Sequence, residues 1–170
     1  MIPGLQLYTV RDALMLDQKH TLTCVAEAGY KRLELFDTSC LAETVAIAHD
    51  LGMQVAGTHF LPGLITGNWL TVSRTEAGIS DKLTYEHFLD ECARLQIPSV
   101  GIAILFPEDR PDLDAYRRFA ELANKAGNRA RQRGMQLYYH HHNFEFDSSS
   151  SFRPYDILMD QLDPALVQVE

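Results

Sequence analysis

The pattern that most restricts this chain is a recurring unit of short apolar strand, helical stripe and glycine. Gly4-Leu5-Gln6-Leu7-Tyr8 alternates as a strand, and after a linker the helix from Asp17 to Ala28 carries Leu22, Val25, Ala26 and Gly29 at three-and-four spacing. Gly29 suits the left-handed position past the helix end. The unit then recurs: strand Arg32 to Phe36, a helix marked by Leu41, Val45, Ala48 and Leu51, Gly52, and strand Gln54 to Phe60. Leu61 to Ser80, with Pro62, Gly63, Gly67, Asn68 and Gly78, reads as a long loop of the kind that forms lids or binding surfaces. Beyond it come a helix from Asp81 to Leu95, a strand from Ser99 to Leu105, a helix from Leu113 to Arg133, Gly134 and a strand running into three histidines. Ser148 to Ser151 is a polar loop, Pro154 to Leu162 a helix, and Leu166 to Glu170 a further strand.

Such alternation implies an α/β fold with a parallel sheet and right-handed crossovers. The strand Ser99 to Leu105 is nearly all apolar, as a strand covered on both faces must be. An open doubly wound sheet announces itself by a glycine-rich phosphate turn after its first strand, and Leu7 to Asp12 contains no glycine. Polar residues at successive strand ends (Tyr8, Glu34, His59, His140, His142) point instead to a TIM-barrel-type ring, whose loops build a site on one rim. A closed barrel needs eight strands and about 250 residues, so the 170 residues predict one domain over 1–170, an incomplete barrel of about six strands truncated at its C-terminal side. Its unpaired edge and apolar surface should drive association, so a homo-oligomer is expected.

A net charge of −8 argues against nucleic acid, and the modest cluster Arg117, Arg118, Arg129, Arg131 and Arg133 decorates the solvated face of one long helix. The longest apolar stretch, Val100 to Phe106, is too short to span a membrane, and Met1 to Arg11 lacks the plan of a secretory signal, so a cytoplasmic location is expected. Cys24, Cys40 and Cys92, odd in number and far apart, read as reduced thiols.

The chemistry concentrates in Tyr138-Tyr139-His140-His141-His142-Asn143-Phe144-Glu145-Phe146. Imidazoles and carboxylates bind borderline divalent metals and also move protons near neutral pH. Strand alternation puts His140 and His142 on the face of Tyr138 and His141 on the other, so at most two of the three share a pocket. Glu145 lies past the strand end, where the chain can turn it back toward that pocket.

Gly4 to Asp12, Ala28-Gly29-Tyr30 leading into Leu33-Glu34-Leu35-Phe36, and above all Tyr139 to Phe146 resemble the sugar phosphate isomerase/epimerase family, the xylose isomerase-like TIM barrels. A subgroup of that family reads Tyr-His-Asn-His-Asp-Phe-Glu-Phe at the last motif, from which this chain departs at His141 and Asn143. The resemblance implies a divalent ion (Mn, Mg, Zn or Co) held by carboxylates and a histidine from the later strands, and a sugar or polyol substrate. It carries the metal-ligand and catalytic role to Glu145, with His142 as alternative ligand or supporting group. The remaining ligands would lie beyond Glu170, so metal binding by these residues alone is expected to be weak or absent. The implied reaction is isomerisation or epimerisation by proton abstraction beside a carbonyl, through an enediolate. Dehydration of a keto-inositol or keto-sugar uses the same enediolate, and a catalytically silent barrel serving assembly is the reading from another class.

In that setting Gln6 and His59 are expected to bind substrate, His59 closing its strand just before the long loop, and His140 joins them from the histidine strand. Glu34 either accepts a substrate hydroxyl or is a buried ion-pair partner, and Trp69 either stacks on a sugar ring or anchors the loop. Tyr8 either lines the rim or fills space.

Overall fold

The computed structural model describes residues 3–69, 83–147 and 153–170. Its strands are β1 (Gly4–Gln6), β2 (Arg32–Leu35), β3 (Gln54–Phe60), β4 (Ser99–Ile102), β5 (Gln136–Tyr139) and β6 (Val167–Val169). They form one sheet in the order β1-β2-β3-β4-β5-β6, every pair parallel. Each strand therefore pairs with its sequence neighbours and the order never reverses, as in a barrel and unlike a doubly wound sheet with its switch point. The helices are α1 (Arg11–Leu16), α2 (Gln18–Glu27), α3 (Leu41–Asp50), α4 (Gly63–Thr66), α5 (Tyr85–Arg94), α6 (Leu113–Arg131) and α7 (Pro154–Gln161).

One face of the sheet is the core. Leu33, Leu35, Phe60, Val100, Ile102, Leu137 and Tyr139 are buried, with Phe60 packed on Tyr85 and Phe88 of α5, and Tyr139 on Phe119 of α6. The other face carries Gln6, Glu34, His59, Tyr138 and, one rung past β5, His140, whose N–H donates to the Ile102 carbonyl. Side chains on this face meet across several strands. Gln6 ends β1, His59 lies on β3 and Glu170 follows β6, yet the three are joined in one hydrogen-bonded row. In a flat sheet β1 and β6 would stand about 24 Å apart at the usual strand spacing. The sheet must be strongly curled for three side chains to bridge it.

A β-bulge sets which β3 residues face this hollow. Leu33 pairs with Val55 but Glu34 pairs with Gly57, leaving Ala56 as an extra residue. An unbroken register would put Ala56 and Thr58 on the face of Glu34; the extra residue turns Gly57 and His59 there instead.

The expected boundaries mostly recur to within a few residues, with informative differences. β1 stops at Gln6 because the Gln6 side chain accepts the Tyr8 N–H and starts a 3-10 turn, Leu7–Val10. The expected linker after it is helical: α1 has no buried residue, with Met15 85% and Leu16 89% exposed, so it carries no apolar stripe to read. The expected long loop begins with the single turn α4, and its residues 70–80, the start of the expected helix at Asp81 and the serine loop at 148–151 lie outside the described residues. Among the described residues no helix is long and apolar enough to cross a membrane. Cys24, Cys40 and Cys92 are free thiols, as expected.

Candidate active site

The polar groups of the curled face gather where the strands end. Gln6 Oε1 is occupied by the Tyr8 N–H at 2.5 Å, so its amide Nε2 is turned toward His59 Nδ1, 3.1 Å away. His59 Nε2 lies 3.2 Å from Glu170 Oε2 and 3.6 Å from Glu34 Oε2. The same Glu170 oxygen lies 2.8 Å from His140 Nδ1. Glu170 is placed by the β5–β6 ladder, since its N–H donates to the Tyr139 carbonyl at 2.9 Å, which makes it the neighbour of His140.

Glu34 is fastened from β5: the Tyr138 hydroxyl donates to its Oε1 across two intervening strands. Glycines open that path. A Cβ on Gly101 of β4 would stand 2.2 Å from the Tyr138 ring, and one on Gly57 of β3 would be 3.1 Å from its hydroxyl. Neither strand can carry a side chain under the tyrosine.

The environments separate the two carboxylates. Burial raises the Glu34 pKa, opposed by the Tyr138 hydrogen bond and by His59. Glu170 is held down to about 2, chiefly by its hydrogen bond with His59, against partial burial and with help from His140. His142 is lowered by burial first and then by the adjacent His140 imidazole.

Above this cluster opens a cleft of about 410 Å³. Gln6, His59, His140 and His142 form its polar part, and Tyr8, Phe36, Leu61 and Phe106 supply most of an apolar wall. A concave, mostly apolar site with a few convergent polar groups is the usual form of a small-molecule pocket.

The residues expected from sequence divide by this geometry. Gln6, Glu34, His59 and His140 are brought together, and His142 lines the cleft with its ring 4.9 Å from that of His140 and stacked on Phe144. His141 lies apart, against Phe146 and Tyr155. Glu145 is placed otherwise than expected. It is fully buried on the helix-facing side, accepting the Tyr139 hydroxyl and, at 2.7 Å, the His142 backbone N–H. The reason is local: the chain past β5 forms a 3-10 turn, Asn143–Phe146, and Glu145 closes it on the His142 N–H. Trp69 is not among the cleft-lining residues; its ring lies against Gly63, where a Cβ would be 2.6 Å from it.

Two members were not picked out from sequence, Glu170 and Tyr138. Tyr138 shares the face of His140 by strand alternation, and Glu170 shares it only through the β5–β6 register, which no spacing along the chain reveals.

Among the described residues one group offers ligand atoms for a metal ion: His59, His140 and Glu170, with one atom from each within 4.8 Å of the others. Two imidazoles and a carboxylate are the donor set of a borderline divalent ion, so these residues fit the metal that the resemblance implies.

No protein-family model matches the chain, and none of the curated proteins does. Solved structures do. A sugar phosphate isomerase/epimerase from Parabacteroides distasonis superposes with a TM-score of 0.74 at 21% identity over 98% of this chain and 63% of its own. A xylose isomerase-like TIM barrel protein from Mycobacterium smegmatis, in complex with magnesium, gives 0.60 at 15% identity over 90% of this chain and 55% of its own. A D-psicose 3-epimerase solved in the presence of D-fructose gives 0.59 at 19% identity over 89% and 56%. The chain thus spans less than two thirds of each of these structures. Its fold, six parallel strands in sequence order, is the fold of the corresponding part of the xylose isomerase-like TIM barrels.

Proposed function

We propose that the cleft receives a small sugar or related polyol and that its rim moves a proton at the carbon beside the carbonyl, giving an enediolate. The observation that carries this reading is the pairing of Glu34 and Glu170 around one imidazole, with their pKa values driven apart. Two carboxylates held in opposite directions divide into a proton carrier and a permanent anion. Glu34, raised by burial, is the proton carrier, and its Tyr138 partner holds it in place. Glu170 stays ionised and orients His59; a bound ion would take the place of any proton between its Oε2 and His140 Nδ1.

In this reading His140 Nδ1 and Glu170 Oε2 would hold a divalent ion, replacing the ligand role expected of Glu145 and leaving His142 to line the cleft beside them. Such an ion, when bound, withdraws charge from a carbonyl oxygen and acidifies the neighbouring C–H bond. His59, between the two carboxylates, faces Glu170 through Nε2, and the apolar wall takes the C–H faces of the sugar. Isomerisation, epimerisation and dehydration share the enediolate and differ in where the proton or hydroxyl leaves. The homo-oligomer expected from sequence stays part of the proposal.

The test is solvent exchange. With Mn2+ and a panel of ketoses and inososes in deuterium oxide, label should enter at the carbon next to the carbonyl. A panel that takes up no label would remove proton-transfer chemistry.

A further inference from the structure

Gln6 occupies an uncommon position for a side chain of a sheet edge: it is bonded at both ends. Its carbonyl oxygen caps the helical turn Leu7–Val10 by accepting the Tyr8 N–H, and its amide nitrogen faces His59 Nδ1 at 3.1 Å. An amide has one acceptor and one donor end, and the acceptor end is already used by the backbone. What reaches His59 is therefore an N–H. A ring nitrogen that receives an N–H must be the unprotonated one, so Nδ1 is bare and the proton of the neutral imidazole sits on Nε2. The carboxylate of Glu170, 3.2 Å from Nε2, is the matching acceptor.

We infer that Gln6 is a positioning residue that locks His59 as the Nε2–H tautomer, which commits its one proton to the Glu170 carboxylate and keeps it from serving as a metal ligand. A histidine ligand coordinates through a bare nitrogen and donates its other N–H to an acceptor behind it. Gln6 presents the opposite polarity to His59, so the Nε2 lone pair is absent although its position suits the cluster. His140 is not so constrained, and the ion of the preceding subsection falls to His140 and Glu170. Only the metal half of this inference rests on that reading.

Gln6→Glu separates the alternatives because glutamate has two acceptor oxygens. One can keep the cap on Tyr8, and the other can accept from His59 Nδ1–H, which releases Nε2. Two-bond nitrogen–proton correlation spectra near neutral pH, with His59 assigned by its loss in His59→Asn, read the tautomer directly. The expected result is a protonated Nε2 and bare Nδ1 in the native chain, and a protonated Nδ1 in Gln6→Glu. A native His59 protonated at Nδ1 overturns the inference, as does a Gln6→Glu spectrum unchanged at His59. Should the variant fail to fold, the native spectrum decides alone. Calorimetric titration with Mn2+ alone should show Gln6→Glu binding about ten-fold more tightly. Equal affinities overturn the metal half. Binding by neither chain strikes the metal reading itself, and the nitrogen shifts still decide the tautomer.

Discussion

The two faces of β5 hold the same chemical pair and use it differently. On the helix-facing side Tyr139 donates to Glu145, six residues along the chain; on the hollow side Tyr138 donates to Glu34, three strands away. Glu145 has its hydrogen bonds from Tyr139 and the His142 N–H, is fully buried and closes a turn. Glu34 has a single hydroxyl partner, an imidazole at 3.6 Å and a second carboxylate beyond it. A tyrosine–glutamate hydrogen bond thus says little about role. The groups around the free carboxylate oxygen distinguish a structural tie from a candidate acid or base.

Replacing each glutamate by alanine should pull the two faces apart most strongly. Glu34→Ala should lower ketose proton exchange by about 10²–10⁴-fold and cost only about 1 kcal/mol, because it orphans a single hydroxyl, that of Tyr138. Glu145→Ala strands a buried hydroxyl and a backbone N–H, and should cost about 3 kcal/mol in urea unfolding. Equal losses of stability would erase the distinction drawn here.

A smaller effect should follow from Gly101→Ala. The new methyl would overlap the Tyr138 ring at 2.2 Å, so the ring must leave Glu34, at a cost of about 1–3 kcal/mol. Without that hydrogen bond, burial should push the Glu34 pKa higher still. A Gly101→Ala chain with native stability and native Glu34 titration by carboxyl-carbon NMR would contradict the crossing.

The subtlest contrast is in acid. The Glu170 pKa falls from the ordinary 4.5 to about 2, so its contribution to stability is complete above about pH 4.5 and disappears as pH drops through about 2. Glu34 is shifted the other way, so its contribution is complete below 4.5 and is lost as pH rises through its raised value. Glu170→Gln should therefore flatten the acid limb of a pH–stability curve, and Glu34→Gln the limb above it. Because Glu170 is 41% exposed, solvent screening keeps its limb shallow.

Much of the fold is legible along the chain because strands and helices announce themselves by local period. Gln54–Phe60 is a strand as expected, and Gly29, Gly52 and Gly134 adopt positive φ where the helices should end. α1 escapes notice because a helix with no fully buried residue, only Leu14 leaning on the core, leaves no stripe. The site divides in the same way. Gln6, Glu34, His59 and His140 are polar residues at the ends of apolar strands, a visible contrast. Glu145 misleads because a 3-10 turn past the strand reverses the side that alternation would suggest, and such a turn has no strong signature.

Period, glycine placement and strand-end polarity are written in neighbouring residues, and they suffice for a parallel α/β sheet of barrel type with polar residues at its strand ends. Which groups touch is another matter. One extra residue at Ala56 decides that His59 and Glu34 share a face, and the curl of the sheet decides that Gln6, His59 and Glu170 meet across its six strands. Those contacts depend on inter-strand register and curvature, which are set by the packing of the whole sheet against its helices and have no counterpart in any short stretch of chain.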